Sequence, residues 1–249
     1  MSPSKPVLIA SDAHLGGAPP KQEQAFREWL EHAGSGASRI ILNGDLFDFW
    51  FEYRTGTTRG HGVFLDLLRR IVESGIPVTL VGGNHDWWGG PYLRDEIGVE
   101  LVAEPDVRDI AGKRTFLAHG DGLGRGDMGY RLLKTVLRGR LTRSAFATLP
   151  PSLGDRIARG VSRTGMKWDE WGPHQEARSR ALAEWAEARL LSDPELELVV
   201  LGHTHLPLLR EVREGQWYVN TGDWVTHRSY VVLEQGREPR LLEWDGSAP

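Results

Sequence analysis

The chain has 249 residues and no cysteine, which excludes disulfide bonds and thiolate metal sites. Its hydrophobic fraction of 40% and charged fraction of 26% are those of a folded protein, and its net charge of −4 favours no class of partner by itself. We therefore expect residues 1–249 to form one domain, in which nitrogen and oxygen atoms would hold any metal.

In the first half of the chain, short apolar runs alternate with amphipathic segments. The runs at 7–10, 39–42 and 78–81 are rich in branched aliphatic residues, which is typical of buried strands. Between them, Lys21–His32 and Gly62–Glu73 have apolar residues at helical spacing. This alternation of strands and helices predicts an α/β protein with parallel strands.

Further strands are predicted in the second half, after a short helix near Tyr92–Ile97. The strands Val107–Ile110 and Arg114–Ala118 form a pair that predicts a crossover from a first mixed sheet into a second. A helix is predicted from Pro173 to about Leu191. The last three strands are separated by polar turns, so we expect them in an antiparallel part of a sheet. The predicted late strands are 198–201, 217–220, 229–233 and 241–244.

Five of the predicted strands are followed by residues suited to metal coordination. Open α/β sheets bind their ligands beyond the carboxyl ends of the strands, so these residues are expected to converge. The clearest case is Gly82-Gly83-Asn84-His85-Asp86, where glycines permit a tight turn before an amide, an imidazole and a carboxylate. The predicted metal ligands are Asp12, His14, Asp45, Asn84, His119, His203 and His205.

This ligand set is larger than one tetrahedral metal needs, and it suits two metals that share a bridging carboxylate. Two divalent ions about 3.5–4 Å apart clamp a phosphoryl group and generate a nucleophile near neutral pH. His203 and His205 occupy alternate positions on one loop and can therefore be aimed at two adjacent ions. We expect a pair of divalent ions and phosphoester hydrolysis as the chemistry. Nitrogen and oxygen ligands suit Mn, Fe, Zn or Mg, and of these we expect Mn²⁺.

The motifs, in their order, resemble those of the calcineurin-like metallophosphoesterases. The matching segments are Asp12-x-His14, Gly44-Asp45, Gly83-Asn84-His85-Asp86, His119 and Gly202-His203-x-His205. The resemblance implies a four-layer α-β-β-α sandwich of two mixed sheets, with Asp45, Asn84 and His85 as catalytic residues. The metal ligands that it implies are Asp12, His14, Asp45 and His205 for one ion, and Asp45, Asn84, His119 and His203 for the other, with Asp45 bridging.

Further segments are similar to the branch of this family that cleaves UDP-2,3-diacylglucosamine in lipid A synthesis. They are residues 43–53 and 119–123, followed by Asp127 and Tyr130, which by this resemblance contact the substrate head group. The implied products are UMP and 2,3-diacylglucosamine 1-phosphate. Many hydrolases of this branch have arginine after the motif asparagine, whereas this chain has His85. We expect His85 to stabilise phosphoryl charge, because a phosphate leaving group departs without a general acid.

Residues 125–167 form a basic segment with leucine and valine at helical spacing. The segment carries ten basic and two acidic residues, in a chain of net charge −4. By the resemblance, a helical insertion here covers acyl chains, and we expect a cap that also binds an anionic membrane surface. Nucleic-acid binding is the rival interpretation, but the segment has few aromatic side chains to stack on bases. With no predicted signal peptide or membrane span, we expect a cytoplasmic protein with peripheral membrane association.

Two other functions stay open at this point. One is a phosphoesterase that acts on cyclic nucleotides, nucleic-acid ends or another diphosphate. The other is a non-catalytic binding module that retains the fold, although such modules tend to lose ligands and all seven ligand positions are filled here. The sequence implies no protein partner.

Overall fold

The computed structural model describes residues 5–103, 105–124, 139–162 and 173–246. Its described strands form two large sheets and one short hairpin. The strands are β1 (Val7–Ala10), β2 (Arg39–Leu42), β3 (Glu52–Tyr53), β4 (Gly56–Thr57), β5 (Val78–Val81), β6 (Glu100–Val102), β7 (Asp106–Ile110), β8 (Lys113–Leu117), β9 (Leu198–Leu201), β10 (Leu208–Arg213), β11 (Gln216–Asn220), β12 (Ser229–Leu233) and β13 (Arg240–Glu243).

The helices flank these sheets. A short π-helix covers Tyr92–Ile97, where the prediction placed a short helix. The α-helices are α1 (Pro20–Gly36), α2 (Gly62–Glu73), α3 (Arg140–Phe146), α4 (Pro151–Ser162) and α5 (Pro173–Ser192).

Both large sheets are mixed, as predicted. The first has six strands in the order β13-β12-β1-β2-β5-β6, in which β1, β2, β5 and β6 are parallel and β12 is antiparallel to both its neighbours. The second has five strands in the order β10-β11-β9-β8-β7, with β11, β9 and β8 parallel. The chain crosses between the sheets after β6, which confirms the predicted crossover.

Alternate strand residues point into different layers, as the two-residue period of a strand requires. In β1, Leu8 packs in the cluster formed with α1 and α2, whereas Ile9 belongs to the core between the two sheets. In β9, Val199 packs against α5, whereas Val200 faces the other sheet. The layers are therefore helices, first sheet, second sheet and helix, which confirms the predicted four-layer α-β-β-α sandwich.

Three strand features escape the sequence prediction, and one expectation is wrong in part. The hairpin β3–β4, the strand β6 and the strand β10 were not predicted. The strand β11 is antiparallel to β10 but parallel to β9, so it does not lie in a purely antiparallel region. The reason is that residues 221–228 carry the chain from the second sheet to the first, where β12 and β13 pair antiparallel.

Part of the predicted cap, residues 139–162, is described and is helical. Phe146 of α3 packs against the hairpin, with ring centroids 4.9 Å from Phe51 and 5.9 Å from Tyr53. Gly154 of α4 lies so close to the Tyr53 side chain that a Cβ atom would overlap it. These contacts fix the two helices on the aromatic hairpin. Residues 125–138 and 163–167 of the predicted cap lie outside the described residues.

Candidate metal centre

The loops that carry the predicted ligands meet at the carboxyl edges of the two sheets. Three follow β1, β2 and β5 of the first sheet, and two follow β8 and β9 of the second. The Asn43 side-chain amide donates to the Ala118 carbonyl at 2.9 Å, which ties the edge of one sheet to that of the other. Ligands from distant parts of the sequence thereby come within contact distance.

Five of the seven predicted ligands have left-handed backbone conformations, which L-residues with side chains rarely adopt. Such conformations cost about 1–3 kcal/mol each and persist only where the surroundings hold them. Here the Asp12 N–H donates to Gly44 O at 3.0 Å and the His14 N–H donates to Asp45 O at 3.0 Å. The φ angles are 54° at Asp12, 46° at His14, 51° at Asp45, 69° at His203 and 61° at His205.

One group of converging donor atoms consists of Asp12, His14 and His205. The Nε2 atom of His205 lies 3.2 Å from Oδ1 of Asp12 and 3.4 Å from Nε2 of His14. On its other side, Nδ1 of His205 donates to Oδ2 of Asp223 at 3.1 Å. The Asp223 carboxylate therefore holds the ring so that Nε2 faces the other two ligands.

A second group consists of Asp45, His119 and His203. The Nε2 atom of His119 lies 3.2 Å from Oδ2 of Asp45, while its Nδ1 donates to the Asn43 carbonyl at 2.9 Å. Among the described residues, Oδ1 of Asn84 is a buried acceptor without a hydrogen-bond donor. An amide oxygen of this kind fits a metal ion, since buried acceptors are otherwise paired.

The Asp45 carboxylate belongs to the second group and also lies near His14 of the first. Its Oδ2 atom is 3.2 Å from Nε2 of His119 and 4.0 Å from Nε2 of both His14 and His85. Its Oδ1 atom accepts from the His85 N–H at 2.9 Å. No side chain fits at Gly83, because a Cβ atom there would overlap the Asp45 carboxylate.

Electrostatics favour a cation at one histidine of each group, whereas burial lowers the pKa of His14 and of His203. Burial alone lowers the pKa of His119, but the nearby carboxylates, Asp45 foremost, raise it to about 10. Burial likewise lowers the pKa of His205, and Asp12 and Asp223 raise it to about 10. A divalent ion competes with protons for the same nitrogen atoms, so carboxylates that stabilise a proton here also stabilise a metal. The donors present therefore fit two divalent ions.

A family model described as calcineurin-like phosphoesterase matches residues 5–207. The chain belongs to this family. It is similar to a UDP-2,3-diacylglucosamine hydrolase of Porphyromonas gingivalis, with 30% identity over 97% of this chain and 94% of the relative. A protein of the same name from Aeromonas salmonicida is 29% identical over 93% of this chain and 91% of the relative. The family resemblance deduced from the motifs is confirmed, and the chain is a metal-dependent hydrolase.

Among solved structures, a single mutant of Vps29 from Entamoeba histolytica aligns with this phosphoesterase at a TM-score of 0.46. The alignment has 17% identity and covers 95% of this chain and 89% of that chain.

In this phosphoesterase, His85 lies at the rim of the two ligand groups. Its Nδ1 atom donates to the Asp48 carbonyl at 2.7 Å, and its Nε2 atom is 4.0 Å from Oδ2 of Asp45. Because a carbonyl accepts from Nδ1, that nitrogen carries a proton and the ring orientation is fixed. The side chain is 15% exposed, so a substrate at the centre can reach Nε2.

Asp86 is a structural residue of the centre whose role the sequence did not reveal. Its buried carboxylate accepts from the backbone N–H of Gly83 at 2.9 Å and of Leu46 at 2.6 Å, and from those of Asp45 and Phe47. Burial and the Asp45 carboxylate together raise the pKa of Asp86 to about 6. The carboxylate thus joins the loop after β5 to the loop after β2, which carries Asp45.

Asp223 and Arg178 are further residues of the centre that the sequence prediction missed. Burial alone would raise the pKa of Asp223, but hydrogen bonds from His205 and His227 hold it well below the usual range. Arg178 contacts Nε2 of His203. The signal for Asp223 was an Asn220–Trp224 turn after a strand, which also suits a purely structural turn. The predicted substrate-binding residues Asp127 and Tyr130 lie outside the described residues.

Proposed function

We propose that this phosphoesterase hydrolyses the diphosphate of UDP-2,3-diacylglucosamine and releases UMP and 2,3-diacylglucosamine 1-phosphate. The observation that carries the proposal is the pair of adjacent ligand groups, with Asp45 near histidines of both, in a chain similar over nearly its whole length to hydrolases of that name. The reaction replaces one P–O bond of the diphosphate with a bond to the oxygen of water.

The proposed cofactors are two Mn²⁺ ions, one at each ligand group. When bound, such a pair supplies Lewis acidity, which neutralises phosphoryl charge and makes water a stronger nucleophile. The Asp45 carboxylate, which lies near His14 of one group and His119 of the other, would contribute a ligand to both ions. We assign Asp12, His14, Asp45 and His205 to one ion, and Asp45, Asn84, His119 and His203 to the other.

We assign to His85 the stabilisation of charge on the phosphoryl oxygens. The support is the fixed ring, in which Nδ1 donates to the Asp48 carbonyl and Nε2 lies toward the metal centre. Because Nδ1 already carries a proton, Nε2 donates to an equatorial oxygen in the imidazolium form of the ring, as negative charge develops on that oxygen. The leaving group is a phosphate ester, which departs as an anion, so the role of His85 as a general acid is secondary.

The cap is the proposed binding site for acyl chains and for the membrane surface. Three large apolar side chains of α3 and α4 are exposed: Leu141 at 88%, Leu153 at 43% and Ile157 at 45%. Leu153 and Ile157 lie four residues apart and therefore share one face of α4. Exposed basic residues accompany them, among them Arg143 and Arg156. An apolar face bordered by arginine suits contact with an anionic leaflet.

The proposed localisation is cytoplasmic, with peripheral attachment to the inner membrane. Among the described residues, no helix has both the length and the apolar character needed to cross a bilayer. For the head group, we propose Asp127 and Tyr130, on the basis of the sequence motif alone.

The test is a substrate panel with the purified, Mn²⁺-loaded protein. We expect UMP release from UDP-2,3-diacylglucosamine with a kcat/KM at least about 10²-fold above those for ADP-ribose, a cyclic nucleotide and a nucleic-acid end, because acyl-chain burial adds binding energy only for the lipid. The Asp45→Ala variant controls for contaminating hydrolases. Equal or faster hydrolysis of a soluble member of the panel would contradict the proposed substrate.

A further inference from the structure

The first turns of α5 pack directly on the two loops that supply His119 and His203. Ser179 is buried, and the Thr204 hydroxyl donates to its Oγ atom at 3.5 Å. Leu182, one turn later, is also buried and lies against Gly120 in the loop after β8. These contacts hold this part of the helix in a fixed position beside the second ligand group.

Arg178 precedes Leu182 by four residues and therefore lies on the same face of α5. Its Nη2 atom is 2.8 Å from Nε2 of His203, while the side chain as a whole is exposed. The other ring nitrogen of His203, Nδ1, is buried. One edge of the guanidinium group thus contacts His203. The group is also exposed to solvent, so a substrate that enters from solvent can reach it.

The contact with His203 depends on the tautomer of the ring. A neutral imidazole that binds a metal through Nδ1 carries its proton on Nε2, and a ring nitrogen that carries a proton cannot accept a hydrogen bond from arginine. With an ion on the buried nitrogen, the guanidinium group loses its acceptor and has donors available for another. Guanidinium groups match phosphate oxygens with two parallel N–H···O bonds.

We propose that Arg178 is a catalytic residue that binds a non-bridging phosphoryl oxygen of the substrate next to His203. The inference rests on the proposed function only in that the substrate presents a phosphoryl group to the metal centre; it holds for any phosphodiester or diphosphate. Arg178 then supplies a cation on the side of the centre opposite the first sheet, where α5 places it. The alternative is a surface pair of Arg178 and His203 without any contact to substrate.

Titration calorimetry of inorganic phosphate into the Mn²⁺-loaded protein distinguishes a substrate-binding Arg178 from a surface pair of Arg178 and His203. We expect Arg178→Gln to weaken phosphate binding at least tenfold and to lower kcat/KM for bis(p-nitrophenyl) phosphate about 10²-fold, since one charged donor is lost. The Mn²⁺ stoichiometry is expected to stay that of the wild type. The matched control is Arg180→Gln, because Arg180 is exposed on the same helix but projects from a different face.

Arg178→Lys keeps the charge and loses the two-pronged geometry, so its losses are expected to be smaller than those of Arg178→Gln. Phosphate affinity within twofold of wild type in Arg178→Gln, or no phosphate binding by the wild type, would overturn the inference. If the enzyme does not hydrolyse the proposed lipid substrate, the inference about Arg178 is still testable. Inorganic phosphate and bis(p-nitrophenyl) phosphate report on Arg178 whichever natural substrate the enzyme has.

Discussion

The Asp45 side chain lies near histidines of both ligand groups. Its carboxylate lies 3.2 Å from His119 and 4.0 Å from His14, which belong to different groups. By the proposed assignment, Asp45→Ala removes a ligand from both ions. We expect loss of nearly all phosphoesterase activity and binding of fewer than two Mn²⁺ per chain, measured by calorimetric titration. A variant that still binds two Mn²⁺ would show that Asp45 does not bridge.

Asp223 contacts His205 and belongs to neither ligand group. Its Oδ2 atom accepts from Nδ1 of His205, and its Oδ1 atom accepts from the backbone N–H groups of Thr226 and His227. Loss of such a partner lowers metal affinity about 10–100-fold. We expect Asp223→Asn to weaken Mn²⁺ binding by that factor, at one site of the two.

The control for this variant is Asp66→Asn, because Asp66 is 62% exposed and pairs with Arg69 on the surface of α2. Calorimetry should give wild-type affinity at both sites for Asp66→Asn. If Asp223→Asn also had wild-type affinity for Mn²⁺, the role of Asp223 would be limited to stabilising its own turn.

His85 offers a test that depends on the leaving group. If His85 stabilises phosphoryl charge, His85→Gln should lower kcat less on a diphosphate than on a phosphodiester with a poor alkoxide leaving group, since only the alkoxide needs a proton. The measurement is kcat on both substrates at saturating Mn²⁺. Equal losses on the two substrates would contradict this prediction and would show that His85 does not protonate the alkoxide leaving group.

The seven proposed ligands were predictable from sequence because each follows an apolar strand and belongs to a short local motif. Asp223 and Arg178 were not predictable, because each contacts a histidine that is distant in sequence. The separation is 18 residues for Asp223 and 25 residues for Arg178. Nothing in the local pattern around Arg178, on a helix rich in charged residues, distinguishes it from Arg180. Only the packing of α5 on the ligand loops does so.

Among elements, the strands with apolar runs were predicted, whereas an exposed edge strand and two very short strands were missed. All four residues of β1, β5 and β9 are buried, and in sequence these strands are apolar throughout except for Thr79 of β5. By contrast, β10 is an edge strand in which Arg210, Glu211 and Arg213 are exposed, so its composition resembles that of a loop. The two-residue strands β3 and β4 are too short to produce any periodicity.

The exposed apolar face of α4 gives a prediction at the scale of an element. We expect the double variant Leu153→Ser and Ile157→Ser to reduce sedimentation with anionic vesicles and to raise KM for the lipid substrate, because both apolar side chains are exposed on one face of the helix. Hydrolysis of bis(p-nitrophenyl) phosphate should stay within about twofold of wild type, since neither side chain belongs to the two ligand groups.

Leu191→Ser is the matched control, because Leu191 is 55% exposed but lies at the far end of α5. It should leave vesicle binding unchanged. If wild-type protein does not sediment with vesicles, or if the small diester is affected as strongly as the lipid, the cap does not have the proposed role.

For the whole molecule, the centre is a junction between the two halves of the sandwich. Asp12, Asp45 and Asn84 follow strands of the first sheet, whereas His119 and His203 follow strands of the second. Between the sheets lies an apolar core that includes Ile9, Ile41, Val200 and Val219. Separation of the sheets would therefore break the core and pull apart the ligands of each proposed ion, so metal binding and global folding are coupled.

This coupling predicts that Mn²⁺ raises the unfolding temperature. A ligand at 100 times its Kd stabilises the folded state by about 2.7 kcal/mol, which for a chain of this size corresponds to roughly 5–10 °C in Tm. We expect that increase on adding Mn²⁺ to EDTA-treated wild type, and a smaller one in Asn84→Ala, which loses a ligand from the first sheet. His32→Gln should respond as wild type does, because His32 packs on Trp244 with ring centroids 5.4 Å apart and lies outside both ligand groups. An unchanged Tm at Mn²⁺ concentrations that calorimetry shows to be saturating would mean that the ions do not join the two sheets.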